Sequence, residues 1–180
     1  MEDIHPIKKL AFEYLKNADD NELSQCMAKN TQNLISKTVE HCIQKISNIN
    51  KNKNESLAVL ATSILHFLLT NLLIPSQRKV NYRRLDLDIV IPDLKTLQTN
   101  PQNCLIIVIA ETTNPDKINT QINRIIEIQP HVDRIWLVLG KDVDVGFRKY
   151  VVGKNFHLII HDMVKTIDLK KHAKLNVFRT

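Results

Sequence analysis

Two carboxylates in this chain belong to neighbouring apolar runs, one within the first run and one directly after the second. Asp88 lies within the run Leu85–Ile91, and Glu111 directly follows the run at residues 104–110. If the two runs are adjacent antiparallel strands, the start of the first lies beside the end of the second, with about 5 Å between the strands. Carboxylate oxygens are the hard ligands that cations such as Ca²⁺ and Mg²⁺ prefer. The sequence therefore predicts a divalent metal site where the two strands meet.

The first 75 residues indicate helices, because apolar residues recur at intervals of three and four and glycine is absent. The expected helices are residues 3–16, residues 23–49, and a third helix that begins near Glu55 and ends before Pro75. Residues 57–74 carry no charge. They include several polar side chains, however, and barely match the length of a membrane span, so we expect this helix to be buried in the protein.

After Pro75 the pattern changes to short apolar runs separated by turn residues. The expected strands are residues 77–82, 85–91, 104–110, 134–139 and 156–160. A helix begins at Asn114-Pro115, an N-cap residue followed by proline, and it predicts a strand–helix–strand unit with parallel strands. Asp162 is expected to cap a basic last helix that runs to about Ala173.

These elements predict an α/β fold with a mixed sheet of about five strands, helices on both faces and an N-terminal helical layer. Residues 1–54 would form a helical extension packed on an α/β core of residues 55–180. Glycine is absent before residue 140, and no Gly-rich phosphate loop follows an early strand. A dinucleotide or nucleoside triphosphate enzyme is therefore not expected.

This order of elements, with an Asp on the second strand and a Glu closing the third, resembles the PD-(D/E)XK nuclease superfamily, which includes Holliday junction resolvases and many restriction enzymes. Over residues 55–160, Asp88 matches the family's Asp and Glu111 the Glu of its E-x-K motif. The resemblance implies a restriction-endonuclease-like fold and Mg²⁺-dependent phosphodiester hydrolysis, with Mn²⁺ as a substitute and these two carboxylates as catalytic residues and metal ligands. Many members also carry a helical glutamate, for which Glu55 and Glu40 are the candidates.

The third motif position departs from the family, because Glu111-Thr112-Thr113 stands where E-x-K is expected. In the family this lysine orients the attacking water and stabilises charge on the phosphate. Lys117, about one turn into the following helix, is the candidate to take over its catalytic role, and Arg83 or Arg84 would supply further charge. The missing lysine keeps an alternative open, in which the chain is a catalytically inactive nuclease-like scaffold or protein-interaction subunit.

Positive charge is concentrated in the last forty residues, which hold nine Lys and Arg against four Asp and Glu, in a chain with a formal net charge of +6 and a pI near 9.2. Such a field attracts polyanions, and together with the resemblance it predicts a nucleic-acid partner, DNA more than RNA. The residues expected to contact phosphates are Arg148, Lys149, Lys154, Lys165, Lys170, Lys171 and Lys174. The alternatives are a solvated basic face or binding to an acidic protein or membrane surface.

The cysteines and the N-terminus bear on location. Cys26, Cys42 and Cys104 are far apart and odd in number, as expected of reduced thiols in an intracellular protein. With no apolar signal segment, a cytoplasmic or nucleoid-associated location without membrane association is expected. The resemblance implies a possible homodimer, and the N-terminal helices are the candidate surface for a protein partner.

Two other patterns are open to more than one interpretation. His157 and His161 share one face of the expected fifth strand, either as partly buried strand residues or as a metal-binding or general-base pair. Phe147 and Tyr150 are either base-stacking or core aromatics, and Trp136, inside an apolar strand, is expected in the core.

Overall fold

The computed structural model describes residues 5–17, 31–46 and 52–167, and these form an α/β fold with a five-stranded mixed sheet. The α-helices are α1 (Pro6–Asn17), α2 (Thr31–Ile46), α3 (Lys53–Asn71), α4 (Leu94–Thr99), α5 (Pro115–Ile126) and α6 (Ile159–Thr166). The strands are β1 (Gln77–Tyr82), β2 (Leu85–Ile91), β3 (Leu105–Ala110), β4 (Ile135–Leu139) and β5 (Arg148–Val151). The predicted fold class is confirmed.

The strands lie in the order β1-β2-β3-β4-β5, antiparallel from β1 to β3 and parallel from β3 to β5. Between β3 and β4 the chain passes through α5, the kind of crossover that parallel strands require. This helix begins where the sequence predicts. The Asn114 side chain accepts hydrogen bonds from the N–H groups of Asp116 (2.9 Å) and Lys117 (3.2 Å), and Pro115 occupies the first turn.

Hydrophobic cores cover both faces of the sheet. Leu105, Ile107 and Ile109 face the helical layer of α1, α2, α3 and α6, which we call the helical-layer face. Ile106 and Val108 face α4 and α5, which cover the other face. Because alternate residues of β3 enter opposite cores, all six of its residues are buried, as expected of a central strand with an unbroken apolar run.

The apolar helix α3 is buried against the helical-layer face, as predicted from its sequence. The Asn52 side chain caps its first turn by accepting a hydrogen bond from the N–H of Glu55. Three of its hydroxyl groups, on Ser56, Thr62 and Ser63, each donate a hydrogen bond to the backbone carbonyl four residues earlier. No helix within the described ranges has the length and apolar run needed to cross a bilayer.

The predicted position of the fifth strand is wrong. The strand lies at Arg148–Val151, earlier than the expected residues 156–160. Gly153, with φ of +82°, turns the chain after β5. The Asn155 side chain fastens this turn by accepting from the N–H of Val151 and donating to the carbonyl of Lys149. A strand with these turn contacts at its end does not continue to residue 156.

The last helix consequently begins earlier than predicted, at Ile159, after a short 3-10 turn at Phe156–Leu158. Phe156, Ile159, Ile160 and Met163 are buried at intervals of three, one and three, which is a helical spacing rather than a strand alternation. His157 and His161 therefore do not share a strand face. Asp162 lies inside the first turn of the helix instead of capping it.

The β1–β2 hairpin turn has an unusual composition. Its two turn residues, Arg83 and Arg84, both have positive φ (50° and 63°), as in a type I′ turn, where asparagine and glycine are preferred. A left-handed conformation costs a non-glycine residue roughly 1–2 kcal/mol. Replacing the pair in the variant Arg83→Asn/Arg84→Gly is expected to raise the free energy of unfolding by about 1 kcal/mol, after the larger chain entropy of glycine is counted.

Urea denaturation followed by circular dichroism measures this change. The matched control, Arg83→Lys/Arg84→Lys, keeps the charges and the strained positions and should leave the stability near that of the original chain. Equal stability of the two variants would contradict the assignment of strain to this turn.

Candidate functional site

The β2–β3 ladder ends beside the two predicted carboxylates. Paired residues run from Ile91 and Leu105 to Ile89 and Ile107, and the pairing stops there. Beyond it, a carboxylate oxygen of Asp88, Oδ2, accepts a hydrogen bond from the backbone N–H of Ile109 at 2.7 Å. The side chain of Asp88 therefore stands in the gap where the two strands separate, with one oxygen held by the backbone of β3.

An interruption of strand alternation aims Asp88 at the helical-layer face. Leu87 and Val90 pack into the α4–α5 core, and Ile89 packs into the opposite core. Strict alternation from Ile89 would point Asp88 toward α5. Instead Asp88 and Ile89, although consecutive, line the same cavity on the helical-layer face.

The matching irregularity in β1 lies at Lys79, whose φ is +50°. Residues 78 and 89, and residues 80 and 87, pair on either side of it, so Lys79 stands opposite Asp88. Lys79 and its neighbour Arg78 line the same cavity as Asp88. A positive φ at a lysine is a strained conformation, and such strain tends to occur at functional positions.

Asp88 and Glu111 both line this cavity, which has a volume of about 510 Å³ and which we call the carboxylate cavity. Glu111 follows β3 by one residue and shares the face of Ile107 and Ile109, because the alternation of β3 is regular. Its side chain is exposed, whereas Asp88 is half-buried. The structure thus brings the two sequence-predicted carboxylates to one opening, with Asp88 deeper than Glu111.

The remaining wall of the carboxylate cavity comes from α1, α3 and the start of β1. It is formed by Lys8, Ala58, Val59, Thr62, Ser63, His66, Ser76 and Arg78. The rings of Phe12 and His66 meet edge to face with centroids 6.0 Å apart, and the Lys8 ammonium lies 5.9 Å from the Phe12 ring. These contacts join α1 to α3 beside the cavity.

The charges in the cavity perturb one another. Burial raises the pKa of the Asp88 carboxyl above its ordinary value, and the negative charge of Glu111 raises it further. The hydrogen bond from Ile109 and the charge of Lys79 act in the opposite direction. The two carboxylates are therefore close enough to repel, and a cation bound between them would relieve the repulsion.

The histidine of the cavity is affected by its cationic neighbours. Burial lowers the pKa of His66, and the charges of Arg78 and Lys8 lower it further. Its ordinary pKa is already below neutrality. At neutral pH the imidazole is thus uncharged, so the formal charges of the cavity are three cations, Lys8, Arg78 and Lys79, and two carboxylates.

Lys117, the candidate for the lysine of E-x-K, is placed elsewhere. It lies on α5, which packs on the opposite face of the sheet, and lines a separate groove with Arg84, Asp86 and Arg124. Lys79 is the lysine that the structure puts beside Asp88. Sequence reasoning missed it, although a two-residue turn at Arg83-Arg84 fixes the hairpin register that places residue 79 opposite residue 88.

The two helical glutamates do not line the carboxylate cavity. Glu55 is in the first turn of α3, and Glu40 on α2 lines a different cavity with Lys154 and His157. At the position on α3 that faces the strands, the chain carries Thr62, Ser63 and His66 instead.

The predicted phosphate-binding cations are largely engaged in contacts within the protein. Arg148 pairs with Asp162 (2.9 Å) and its guanidinium lies 4.4 Å from the Trp136 ring centroid. Lys149 and Lys154 both pair with Asp142, at 2.8 and 3.1 Å. Of the others, Lys165 is exposed on α6, and Lys170, Lys171 and Lys174 lie outside the described residues, as does Cys26.

The donor set suits Mg²⁺ or Mn²⁺ better than zinc. Within the described ranges there is no group of three or more His, Cys, Asp and Glu residues arranged to hold a metal. Structural zinc requires four such ligands and catalytic zinc three. Mg²⁺ commonly takes one or two carboxylates and completes its shell with water and substrate phosphates. Two carboxylates on one cavity, Asp88 and Glu111, match that ligand number.

Comparisons of this chain with protein-family models, with curated proteins and with solved structures find no match.

Proposed function

We propose that this protein binds nucleic acid and hydrolyses phosphodiester bonds in a Mg²⁺-dependent reaction at the carboxylate cavity. The observation that carries the proposal is the convergence of Asp88 and Glu111 on one cavity whose wall also holds Lys8, Arg78 and Lys79. Two carboxylates supply metal ligands, and three cations supply counter-charge for a phosphodiester.

The roles follow from position. Asp88, fixed by the N–H of Ile109, and Glu111, at the mouth, would hold the metal ion. When bound, Mg²⁺ polarises the phosphate and lowers the pKa of a coordinated water. Lys79, opposite Asp88, stabilises the negative charge that develops on the phosphate, which is the contribution that the missing E-x-K lysine would have made. Arg78 and Lys8 bind the non-bridging oxygens from the cavity wall.

The direct test is a cleavage assay on branched, single-stranded and duplex DNA and on RNA, with Mg²⁺ or Mn²⁺ and with EDTA. Cleavage that requires the metal and disappears in Glu111→Gln supports the proposal. Failure to cleave any of these substrates with either metal, at protein concentrations that saturate binding, would rule out hydrolysis.

Lys79 gives a sharper test of the proposed chemistry. Changing Lys79→Gln removes the charge opposite Asp88 while keeping a long polar side chain at the same positive φ. We expect cleavage to fall by about 10²-fold, the usual effect of losing one electrostatic contact to a transition state. Lys79→Arg, which keeps the charge, should retain most activity, and Lys95→Gln, on the exposed side of α4, serves as a charge control. Equal losses in Lys79→Gln and Lys79→Arg would contradict an electrostatic role.

The second candidate is a binding protein without catalysis, and the observation in its favour is Thr113 in place of the E-x-K lysine. Such a protein would also bind nucleic acid less tightly as the salt concentration rises, because its cations would still contact phosphates. It would bind equally well with and without metal and leave every substrate intact.

A further inference from the structure

The groove that contains Lys117 has the composition of an anion site. It has a volume of about 390 Å³ and is lined by Arg84, Leu85, Asp86, Lys117, Thr120, Gln121, Arg124 and Ile125. Lys117, Gln121 and Arg124 are three or four residues apart on α5, so their side chains project from one face of the helix. We call this the α5 groove, and it lies on the face of the sheet opposite the carboxylate cavity.

The cations of the α5 groove are unpaired within the described residues. No salt bridge in those ranges involves Arg84, Lys117 or Arg124. The one carboxylate in the groove, Asp86, accepts a hydrogen bond from the Asn81 side chain at 2.7 Å. By contrast, Arg148 pairs with Asp162, and Lys149 and Lys154 share Asp142.

Internal contacts also hold the groove in shape. Arg124 Nη2 donates a hydrogen bond to the backbone carbonyl of Arg84 at 3.3 Å, which ties α5 to the hairpin turn. Arg84 occupies a turn position with φ of +63°, where glycine would be unstrained. Backbone strain of this kind tends to occur at functional positions, and Arg84 is at the edge of a cationic groove.

A short path joins the groove to the carboxylate cavity. Asp86 in the groove and Asp88 in the cavity are two residues apart on β2, or about 7 Å along the strand. β1 is the edge strand of the sheet, so only one strand separates the two openings on that side. The hairpin carries Arg78 and Lys79 at the cavity, Arg84 at the groove and Arg83 next to Arg84, so both ends of the path are positively charged.

We propose that the α5 groove binds a backbone phosphate of the nucleic-acid strand whose reacting phosphate lies in the carboxylate cavity. The strand crosses the hairpin, with Lys117 and Arg124 binding one or two phosphates beyond the scissile bond. This inference rests on the proposed function. It identifies the substrate as a single strand that bends around the β1–β2 hairpin, because a rigid duplex does not follow so short a turn over one strand.

The experiment measures binding of a mixed-sequence single-stranded DNA of about twelve nucleotides by fluorescence anisotropy, in EDTA, from 50 to 200 mM salt. Log affinity falls as log salt rises, and each lost phosphate contact reduces the magnitude of this negative slope by about 0.7 on a single strand. We therefore expect Lys117→Gln/Arg124→Gln to reduce the magnitude of the slope by about 1.4 and to lower the affinity at 50 mM salt by about tenfold. Lys95→Gln, an exposed lysine on α4 that lines neither opening, is the control and should change neither quantity.

A double variant whose slope and affinity equal those of Lys95→Gln would overturn the proposal. Loss of the Arg124 contact to Arg84 could unfold that variant, and Lys117→Gln alone, on the exposed side of α5, is then the test. It should reduce the magnitude of the slope by about 0.7, and an unchanged slope would equally overturn the proposal. Because binding is measured without metal, an unchanged slope refutes only phosphate binding in the α5 groove and leaves the proposed hydrolysis untouched. Absence of metal-dependent cleavage by the original chain refutes hydrolysis alone.

Discussion

Changing Asp88→Asn should reduce metal-dependent cleavage by roughly 10²–10³-fold. A catalytic metal contributes several kcal/mol of transition-state stabilisation, and each 1.36 kcal/mol corresponds to a tenfold change in rate. Asp88 is the deeper of the two carboxylates proposed to hold it. Asparagine retains an oxygen that can accept the hydrogen bond from Ile109, so the strand geometry is preserved. Titration with Mn²⁺ by calorimetry should show weakened metal binding in the same variant.

The same change should stabilise the protein at neutral pH. Burial and the charge of Glu111 raise the pKa of Asp88 in the folded state, so folding is penalised where the carboxyl is ionised. The penalty is absent below the ordinary pKa of Asp and grows as the pH rises through the raised pKa. Asp88→Asn removes it, so the melting temperature of the variant should exceed that of the original chain at neutral pH and equal it in acid.

Glu111→Gln is the matched control, because its carboxylate is exposed. It should lower cleavage and metal binding as Asp88→Asn does, yet gain less stability. A melting-temperature difference between Asp88→Asn and the original chain that does not change with pH would contradict the assignment of the penalty to ionised Asp88. Cleavage that survives in both variants would remove these carboxylates from the reaction.

Changing Trp136→Ala should lower the free energy of unfolding by about 3–5 kcal/mol, the usual cost of removing a large aromatic side chain from a core. Trp136 is fully buried on β4, and its Nε1–H donates to the carbonyl of Asp133 at 3.0 Å. Its ring also packs against the Tyr150 ring at 5.3 Å and supports the Arg148 guanidinium. The substitution leaves a cavity beside Tyr150 and Arg148, the two β5 residues whose side chains contact Trp136 on β4.

Urea denaturation followed by fluorescence of the tyrosines measures this loss. Trp136→Phe, which keeps most of the apolar volume but loses the N–H donor, should cost less than half as much. Since a domain has only about 5–15 kcal/mol of stability, Trp136→Ala should be close to the limit of folding. A loss below about 1 kcal/mol would contradict the placement of this ring at the centre of the core.

Local pattern determined much of the architecture. The apolar run of β3, the N-cap and proline at Asn114-Pro115, and the charge-free stretch of α3 each specify their element within a few residues of chain. The predicted position of the fifth strand is wrong because the apolar residues between Phe156 and Ile160 suit the two-residue period of a strand as well as the period of a helix. Gly153 and the side-chain hydrogen bonds of Asn155 to Lys149 and Val151 form a turn instead. The alternation of apolar and polar residues along the chain does not reveal these contacts.

For the site, the sequence by itself determined that one acid lies within β2 and that the other directly follows β3, since strand order and turn length follow from short-range pattern. Only the tertiary structure decided that they share a cavity. The alternation of β3 directs Glu111 toward the helical layer, but that of β2 directs Asp88 there only because the chain is irregular opposite Lys79.

Packing also decided which cations lie near Asp88 and Glu111. Sequence distance favoured Lys117 as the neighbour of Glu111, yet α5 covers the far face of the sheet and carries this lysine with it. The helical layer and the edge strand bring Lys8, Arg78 and Lys79 to the carboxylates instead. A one-dimensional pattern specifies which residues alternate along a strand, whereas the partner on the opposite side of a cavity depends on which helix covers that face.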